Sequence, residues 1–328
     1  VPESVLPRPR RAPALAFGPL SFGGGNLGNL FRAMSDDDAH AMLEFAWEAG
    51  IRSFDTAPHY GLGLSERRLG AFLATKPRDE FVLSTKVGRL LVDNPGGSAG
   101  YDDENGFAVP DDLRRVWDFS ADGVRRSLED SLLRLGLDRV DVLYLHDPDE
   151  FDLDSAIADG VPAVAALRDD GLVRAVGIGS KSVTALLAGV RTDALDLLMI
   201  AGRYTLLEQP ALEEVIPEAA GRGIGVVNAA VFNSGLLARS TPGPSARYEY
   251  AAAPSAVLER ARAIAAVCAE HDVELPAAAL QYTLRDPAVR TVVAGAASAA
   301  QLRQTVERMG ASIPEALWAD LRDRDLIP

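Results

Sequence analysis

The run Glu48-Ala49-Gly50-Ile51-Arg52-Ser53-Phe54-Asp55 joins the end of an amphipathic stretch to a short apolar one through a single glycine. Glycine marks a helix stop because it takes the left-handed conformation that closes the last turn without a steric cost. The same junction recurs at Arg134-Leu135-Gly136-Leu137, Asp170-Gly171-Leu172-Val173 and Ala220-Gly221-Arg222-Gly223. Working outward from these junctions, apolar and β-branched runs predict strands at residues 17–22, 51–55, 81–86, 140–145, 173–178, 195–200, 225–229 and 290–293. Amphipathic spacing predicts helices between them, at residues 36–49, 65–73, 119–135, 155–169, 182–188, 210–220, 253–271 and 298–309. A last helical pattern, 313–321, is expected to pack over the barrel or its loops.

Eight strand–helix units with no Pro/Gly/Ser linker between them predict an α/β chain folded as one domain over residues 1–328, a closed (β/α)8 TIM barrel, with 1–14 as an N-terminal arm. Segments 87–118, 202–209 and 232–254 exceed ordinary loop length. In such a barrel these insertions follow strands and lie over the C-terminal face, where ligands bind. The first holds the most chemistry: Arg89, Tyr101, Asp102, Asp103, Glu104, Phe107 and Trp117.

Acidic residues number 47 against 33 Lys plus Arg, a formal charge of −14, which disfavours non-specific nucleic-acid binding. The one basic cluster, Arg8, Arg10 and Arg11, reads as part of a solvated arm. No apolar run approaches the length of a membrane span, and the first residues lack the pattern of a signal peptide, so a cytoplasmic location is expected. Cys268 falls on the apolar face shared by Ala261, Ile264 and Ala265 and reads as a buried thiol. The histidines, His40, His59, His146 and His271, have no metal-ligand spacing, and no metal is expected.

Gly23-Gly24-Gly25-Asn26-Leu27-Gly28 satisfies G-x-G-x-x-G after a predicted strand. The helical period does not follow it directly, and Asp55 lies further on than a dinucleotide fingerprint prefers. A flexible first loop at the barrel mouth, whose backbone approaches a ligand, is the expected alternative.

Three successive strands end in Asp55, Lys86 and His146, and Tyr60 follows Asp55 on the next loop. In a barrel these ends converge on one face. A free phenol titrates near pKa ~10, so a tyrosine needs a nearby cation or a hydrogen bond favouring phenolate before it exchanges protons usefully near neutrality. Lys86 can supply that field, Asp55 can hold the ammonium, and His146 can orient a substrate oxygen. The set suits hydride transfer at carbon, for which an organic redox cofactor must carry the hydride. The same groups also suit binding of a phosphorylated substrate.

With Phe54-Asp55-Thr56-Ala57-Pro58-His59-Tyr60-Gly61, Ser65-Glu66, Leu69-Gly70, Ser84-Thr85-Lys86 and Tyr144-Leu145-His146-Asp147-Pro148, the chain resembles the aldo-keto reductases from Phe17 to Met309. The resemblance implies that Tyr60 is the acid or base, that Lys86 and Asp55 tune it, and that His146 positions the substrate. It implies an extended NAD or NADP along the barrel face, bound by Gly23, Gly24, Asp55, Ser180, Phe232, Ser234, Leu236, Gly295, Ala297, Ser298 and Gln301. Ser180 matches an amide-binding asparagine of the family. The family's glutamine is absent around Ala201-Gly202-Arg203-Tyr204, and its stacking aromatic is absent near Asn228-Ala229-Ala230. NAD is favoured and NADP is the alternative, since Gly295, Ala297 and Gln301 stand where NADP-preferring relatives carry cations; Arg303 would change this if it turned inward.

The runs Ala201–Gln209 and Phe232–Leu237 are similar to a subgroup of fucose or D-threo-aldose 1-dehydrogenases and a pyridoxal 4-dehydrogenase. That likeness implies oxidation of a small hydroxylated substrate, a sugar such as L-fucose, at its anomeric hydroxyl to a lactone, by a monomer or homodimer. The alternatives are formation of 4-pyridoxolactone from pyridoxal, NADPH-dependent reduction of aldehydes or ketones, and a nicotinamide-sensing binding subunit.

Overall fold

The computed structural model describes residues 15–97, 100–249 and 251–328. The predicted arm, 1–14, with Arg8, Arg10 and Arg11, lies outside them. Eight parallel strands close a barrel: β1 (Leu20–Gly23), β2 (Ser53–Asp55), β3 (Val82–Val87), β4 (Val142–His146), β5 (Ala175–Ser180), β6 (Leu197–Ala201), β7 (Gly225–Ala229) and β8 (Val289–Ala294), with β1 pairing both β2 and β8. All eight were expected, but most begin about two residues later than the apolar runs. At β2 the helix stop accounts for the shift, because Ile51 donates its N–H to the Ala46 carbonyl; Leu172 to Leu167 and Ile224 to Ala219 close their own helices in the same way. This is the six-to-one bond of a glycine-terminated helix, so the apolar residue after each stop belongs to the cap and not yet to the ladder.

The helices are α1 (Asp36–Glu48), α2 (Leu64–Leu73), α3 (Ala121–Leu135), α4 (Val161–Asp169, preceded by a π-helical turn Ala156–Gly160), α5 (Val183–Val190), α6 (Val215–Gly221), α7 (Ser255–Glu270), α8 (Leu275–Tyr282), α9 (Ala299–Met309) and α10 (Glu315–Asp323). Serines begin several of them, because a hydroxyl accepts from an otherwise unpaired first-turn N–H. Ser35 accepts from Asp38 N, Ser120 from Gly123 N, Ser182 from Ala185 N and Ser298 from Gln301 N. The sequence reading missed α8, an Ala-rich helix buried along most of its length with little polar contrast between its faces.

Between strands and helices lies one large apolar shell, in which Cys268 is fully buried with its thiol pushed up to about 12 by that burial. A smaller cluster fills the barrel interior, including Val82, Tyr144, Leu197, Met199 and Val227, with Leu15 and Phe17 packed against it. Segment 87–118 forms two antiparallel pairs, Arg89–Asp93 with Leu113–Trp117 and Tyr101–Asp102 with Phe107–Pro110. The glycine-rich first loop is a 3-10 turn (Gly24–Gly28), which corrects the expectation of a flexible loop. A Cβ on Gly28 would stand 2.5 Å from the Tyr60 carbonyl carbon, and one on Gly61 2.2 Å from the Gly28 carbonyl oxygen. These glycines let two backbones touch, and the touching backbone is the one that carries Tyr60.

Candidate active site

Strand ends β2, β3 and β4 deliver Asp55, Lys86 and His146 to one mouth, and the loop after β2 places Tyr60 above them. Lys86 is 2% and Asp55 4% exposed, so neither charge is solvated and each depends on its partners. Lys86 Nζ donates to Asp55 Oδ2 at 2.6 Å, the Thr56 carbonyl at 2.9 Å and Tyr60 OH at 3.1 Å. Three acceptors use all three ammonium protons. Ser84 Oγ donates to the other Asp55 oxygen at 2.7 Å, fixing the carboxylate.

Burial works against the Lys86 charge, but Asp55, through charge and hydrogen bond, and Tyr60 outweigh it and hold the ammonium above the ordinary lysine range. For Tyr60 the balance differs from the sequence expectation of a lowered proton affinity. Burial is the largest effect and raises it, Lys86 pulls it down, and Asp55 pushes it up, leaving the phenol above its usual value. Without ligand, Tyr60 is therefore a protonated donor held in check by Lys86. Burial, then Arg89 and Lys86, keep His146 well below the ordinary histidine range, so its ring is neutral. That ring meets Tyr60's at 5.7 Å and 88°.

The motif residues around the site have structural work of their own. Ser65 Oγ donates to the Gly24 carbonyl at 2.7 Å and pairs with Thr56 Oγ1 at 2.8 Å, locking the first turn to the end of β2. Fully buried Glu66 accepts from Thr85 Oγ1 at 2.8 Å and from Arg134 Nε at 2.5 Å, tying α2 to β3 and α3. A Cβ on Gly70 would fall 2.0 Å from the Leu135 carbonyl, so α2 lies directly against the end of α3.

A cavity of about 830 Å3 opens over these residues and runs to the start of α9. Asp55, Tyr60, Lys86 and His146 line it, together with the predicted Gly23, Ser180, Phe232, Ser234, Gly295, Ala297 and Gln301. Gly24, Leu236 and Ser298 do not. Gly24 faces Ser65 and the Asp55 backbone, Leu236 is 1% exposed in the core, and the Ser298 hydroxyl caps α9. Ser180 Oγ donates to Asp149 at 2.6 Å and accepts from Ser182 N at 2.8 Å. Arg303 lies over the Phe45 ring, 4.3 Å from its centroid, rather than lining the cavity.

Sequence reasoning missed His59, Asn26, Phe31, Asp147, Glu150 and Lys181, which also line the cavity. The signal for His59 was its place beside Tyr60, and for Asp147 its place beside His146. Asn233, Ser234 and Gly235 take successive left-handed conformations, φ 45°, 57° and 89°, turning their backbone along the cavity wall, and Asn233 Oδ1 is buried without a partner. The far end carries small residues, Gly23, Gly295, Ala296 and Ala297, beside the positive pole of α9. An end of small residues beside a helix N-terminus fits an extended, phosphate-bearing dinucleotide. Among the described residues no group of His, Cys, Asp and Glu could hold a metal ion, and no helix is long and apolar enough to cross a membrane.

The sequence pattern of the Aldo/keto reductase family matches residues 19–324. The chain is 57% identical over 318 residues to a D-threo-aldose 1-dehydrogenase from a Pseudomonas species, covering 97% of each chain. It is 38% identical over 329 residues to a pyridoxal 4-dehydrogenase from Microbacterium luteolum, covering 94% of each. Among solved structures, an aldo-keto reductase from Bacillus halodurans in its holo form superposes with a TM-score of 0.75 at 25% identity, covering 98% of this chain and 96% of that one. The chain belongs to the aldo/keto reductase family, an oxidoreductase barrel that works with a nicotinamide cofactor.

Proposed function

We propose that the protein oxidises the anomeric hydroxyl of an aldose to a lactone, with NAD as hydride acceptor. The observation that carries this reading is the polar lining of the cavity that Tyr60 shares. His59, Arg89, Asp103, Glu104, Asn105, Asp147 and Glu150 line it, a set of donors and acceptors matched to a substrate with hydroxyls around its ring. The buried and half-buried members of this set, His59, Arg89 and Asp147, disfavour plain apolar aldehydes, because leaving such groups unmatched is costly. The 57% identity to an aldose 1-dehydrogenase supports the same substrate class.

In this reading the residues divide the work as follows. Tyr60, as phenolate, takes the proton from the anomeric hydroxyl while the adjoining carbon gives up hydride; the bound cofactor supplies the hydride acceptor. Lys86 stabilises the phenolate across 3.1 Å, and Asp55 keeps the ammonium in place. Neutral His146 donates to the reacting oxygen and fixes it toward Tyr60. Gly23, Ser180, Phe232, Ser234, Gly295, Ala297 and Gln301 would hold the cofactor. NAD is preferred over NADP because Gly295, Ala297 and Gln301, which form the far end, carry no cation, and Arg303 is engaged on Phe45. Arg32 is the guanidinium to reckon with, since it donates to the Ala297 carbonyl at 2.5 Å.

The test is a matrix of L-fucose, D-arabinose, L-galactose, pyridoxal and simple aldehydes against both cofactors in both directions. Fastest turnover of a sugar with NAD, with lactone recovered, supports the proposal. Pyridoxal oxidation as the dominant activity, aldehyde reduction with NADPH as the dominant one, or tight cofactor binding without any turnover would each replace it.

A further inference from the structure

His59 stands immediately before Tyr60 and faces the cavity, its ring 5.6 Å from that of His146 and 5.4 Å from that of Phe107. Its Nδ1 lies 3.1 Å from Arg89 Nη1. A guanidinium has no acceptor and does not give up its proton in a protein, so Nδ1 must accept from it. The neutral ring then carries its hydrogen on Nε2. Arg115 Nη2 donates to the His59 carbonyl at 2.7 Å, so two guanidiniums flank the residue and leave no place for a third positive charge. Burial, then Arg89, Arg115 and Lys86, accordingly push His59 down to about 2.

Arg89 is itself fixed from several sides. Its Nη2 donates to Asp147 Oδ2 at 3.1 Å and Glu150 Oε2 at 2.9 Å, and its guanidinium stacks over Trp117 at 4.2 Å. One planar group therefore holds a neutral N–H donor, His59, and a carboxylate, Asp147, on its two terminal nitrogens beside the reacting centre. A ring oxygen or carbonyl could use only the donor. A hydroxyl both accepts and donates, and it uses the pair.

We propose that His59 and Asp147 together read the hydroxyl on the carbon next to the reacting one, His59 Nε2–H donating to it and the Asp147 carboxylate accepting from it, with Arg89 as the positioning residue that sets the tautomer. This deepens the aldose reading and rests on it.

The experiment compares kcat/KM for the best aldose with that for its deoxy analogue lacking only that hydroxyl, in the wild type, His59→Leu, His59→Gln and Arg89→Met. The wild type is expected to favour the hydroxylated sugar by about ten- to a hundredfold, the scale of leaving a buried donor unmatched. His59→Leu should bring that ratio toward one while NADH affinity, read by fluorescence titration, stays unchanged; His59→Gln, which keeps an amide donor, should restore part of it. Nitrogen NMR of histidine-labelled protein should show His59 as the Nε2–H tautomer, and Arg89→Met should abolish that single form. An unchanged ratio in folded, cofactor-binding His59→Leu, or a wild-type Nδ1–H tautomer, overturns the proposal with the aldose reading intact. A wild type that oxidises no aldose removes both.

Discussion

Replacing Tyr60 by Phe removes one oxygen and little else. The ring keeps its place against His146 and Phe107, at 5.7 and 6.3 Å, and Lys86 retains Asp55 at 2.6 Å and the Thr56 carbonyl at 2.9 Å. The folded state therefore loses one hydrogen bond to an ammonium, about 1.5 to 3 kcal/mol at the upper end, and no charge is left unpaired. On the proposed mechanism the reaction loses its proton acceptor. General acid–base transfer contributes about 10²- to 10⁴-fold, so kcat should fall by at least two powers of ten, about 2.7 kcal/mol of barrier. The assay pairs steady-state formation of reduced nicotinamide with fluorescence titration of NADH, whose affinity should hold within about twofold because no predicted cofactor contact changes. In the wild type, burial sets Tyr60 above its ordinary value of 10.0, so the phenolate needed for oxidation grows as pH rises and the alkaline limb should climb without a plateau near neutrality. Reduction, which needs the protonated phenol, should be flat to neutrality and fall on that same limb. A Tyr60→Phe enzyme with near-normal kcat, or one that keeps the wild-type alkaline limb, would show that another group moves the proton.

Gly28→Ala should lower kcat more than NADH affinity, because its new methyl strikes the Tyr60 backbone at 2.5 Å; the opposite order would return Gly28 to a phosphate-binding role. Arg32→Ala should leave NAD affinity unchanged within about twofold while weakening any residual NADP binding, and an equal loss for both would place Arg32 on a part common to the two cofactors. His59 and His146 are both depressed below their ordinary 6.5, so as pH falls through that value the unfolded chain binds protons that the folded one refuses. Stability should therefore drop on acidification, and denaturant melts of His59→Gln should show a shallower drop between about pH 7 and 5; an identical slope would mean that His59 is already charged in the native protein.

The barrel was legible because its signal is local and repeated. A glycine stop, an apolar run and an amphipathic segment recur, and each depends only on neighbours in sequence. The start of β2 was misjudged for the same local reason: Ile51 looks like a strand residue by composition but bonds backward into a helix end, a choice that only the helix geometry decides. The gathering of the proposed catalytic residues was legible one step further. Once eight strands are granted, Asp55, Lys86 and His146 must share a mouth, and Tyr60 cannot be far from it. What stayed hidden depends on contacts that sequence distance conceals. Gly24 and Gly28 resemble phosphate-binding glycines, yet the space a side chain would take is occupied by Ser65 and the Tyr60 backbone, a packing need that the sequence does not display. The direction of the Tyr60 shift was hidden likewise, since the Lys86 field can be inferred from the motif whereas the depth of burial that outweighs it cannot. His59 shows the limit most sharply: its letter is visible beside Tyr60, but its tautomer is fixed by Arg89, thirty residues away in the chain and 3.1 Å away in space. In the proposed reading the chemistry is written at the strand ends and substrate selection lies with segment 87–118, so substitutions there should alter specificity without disturbing proton transfer.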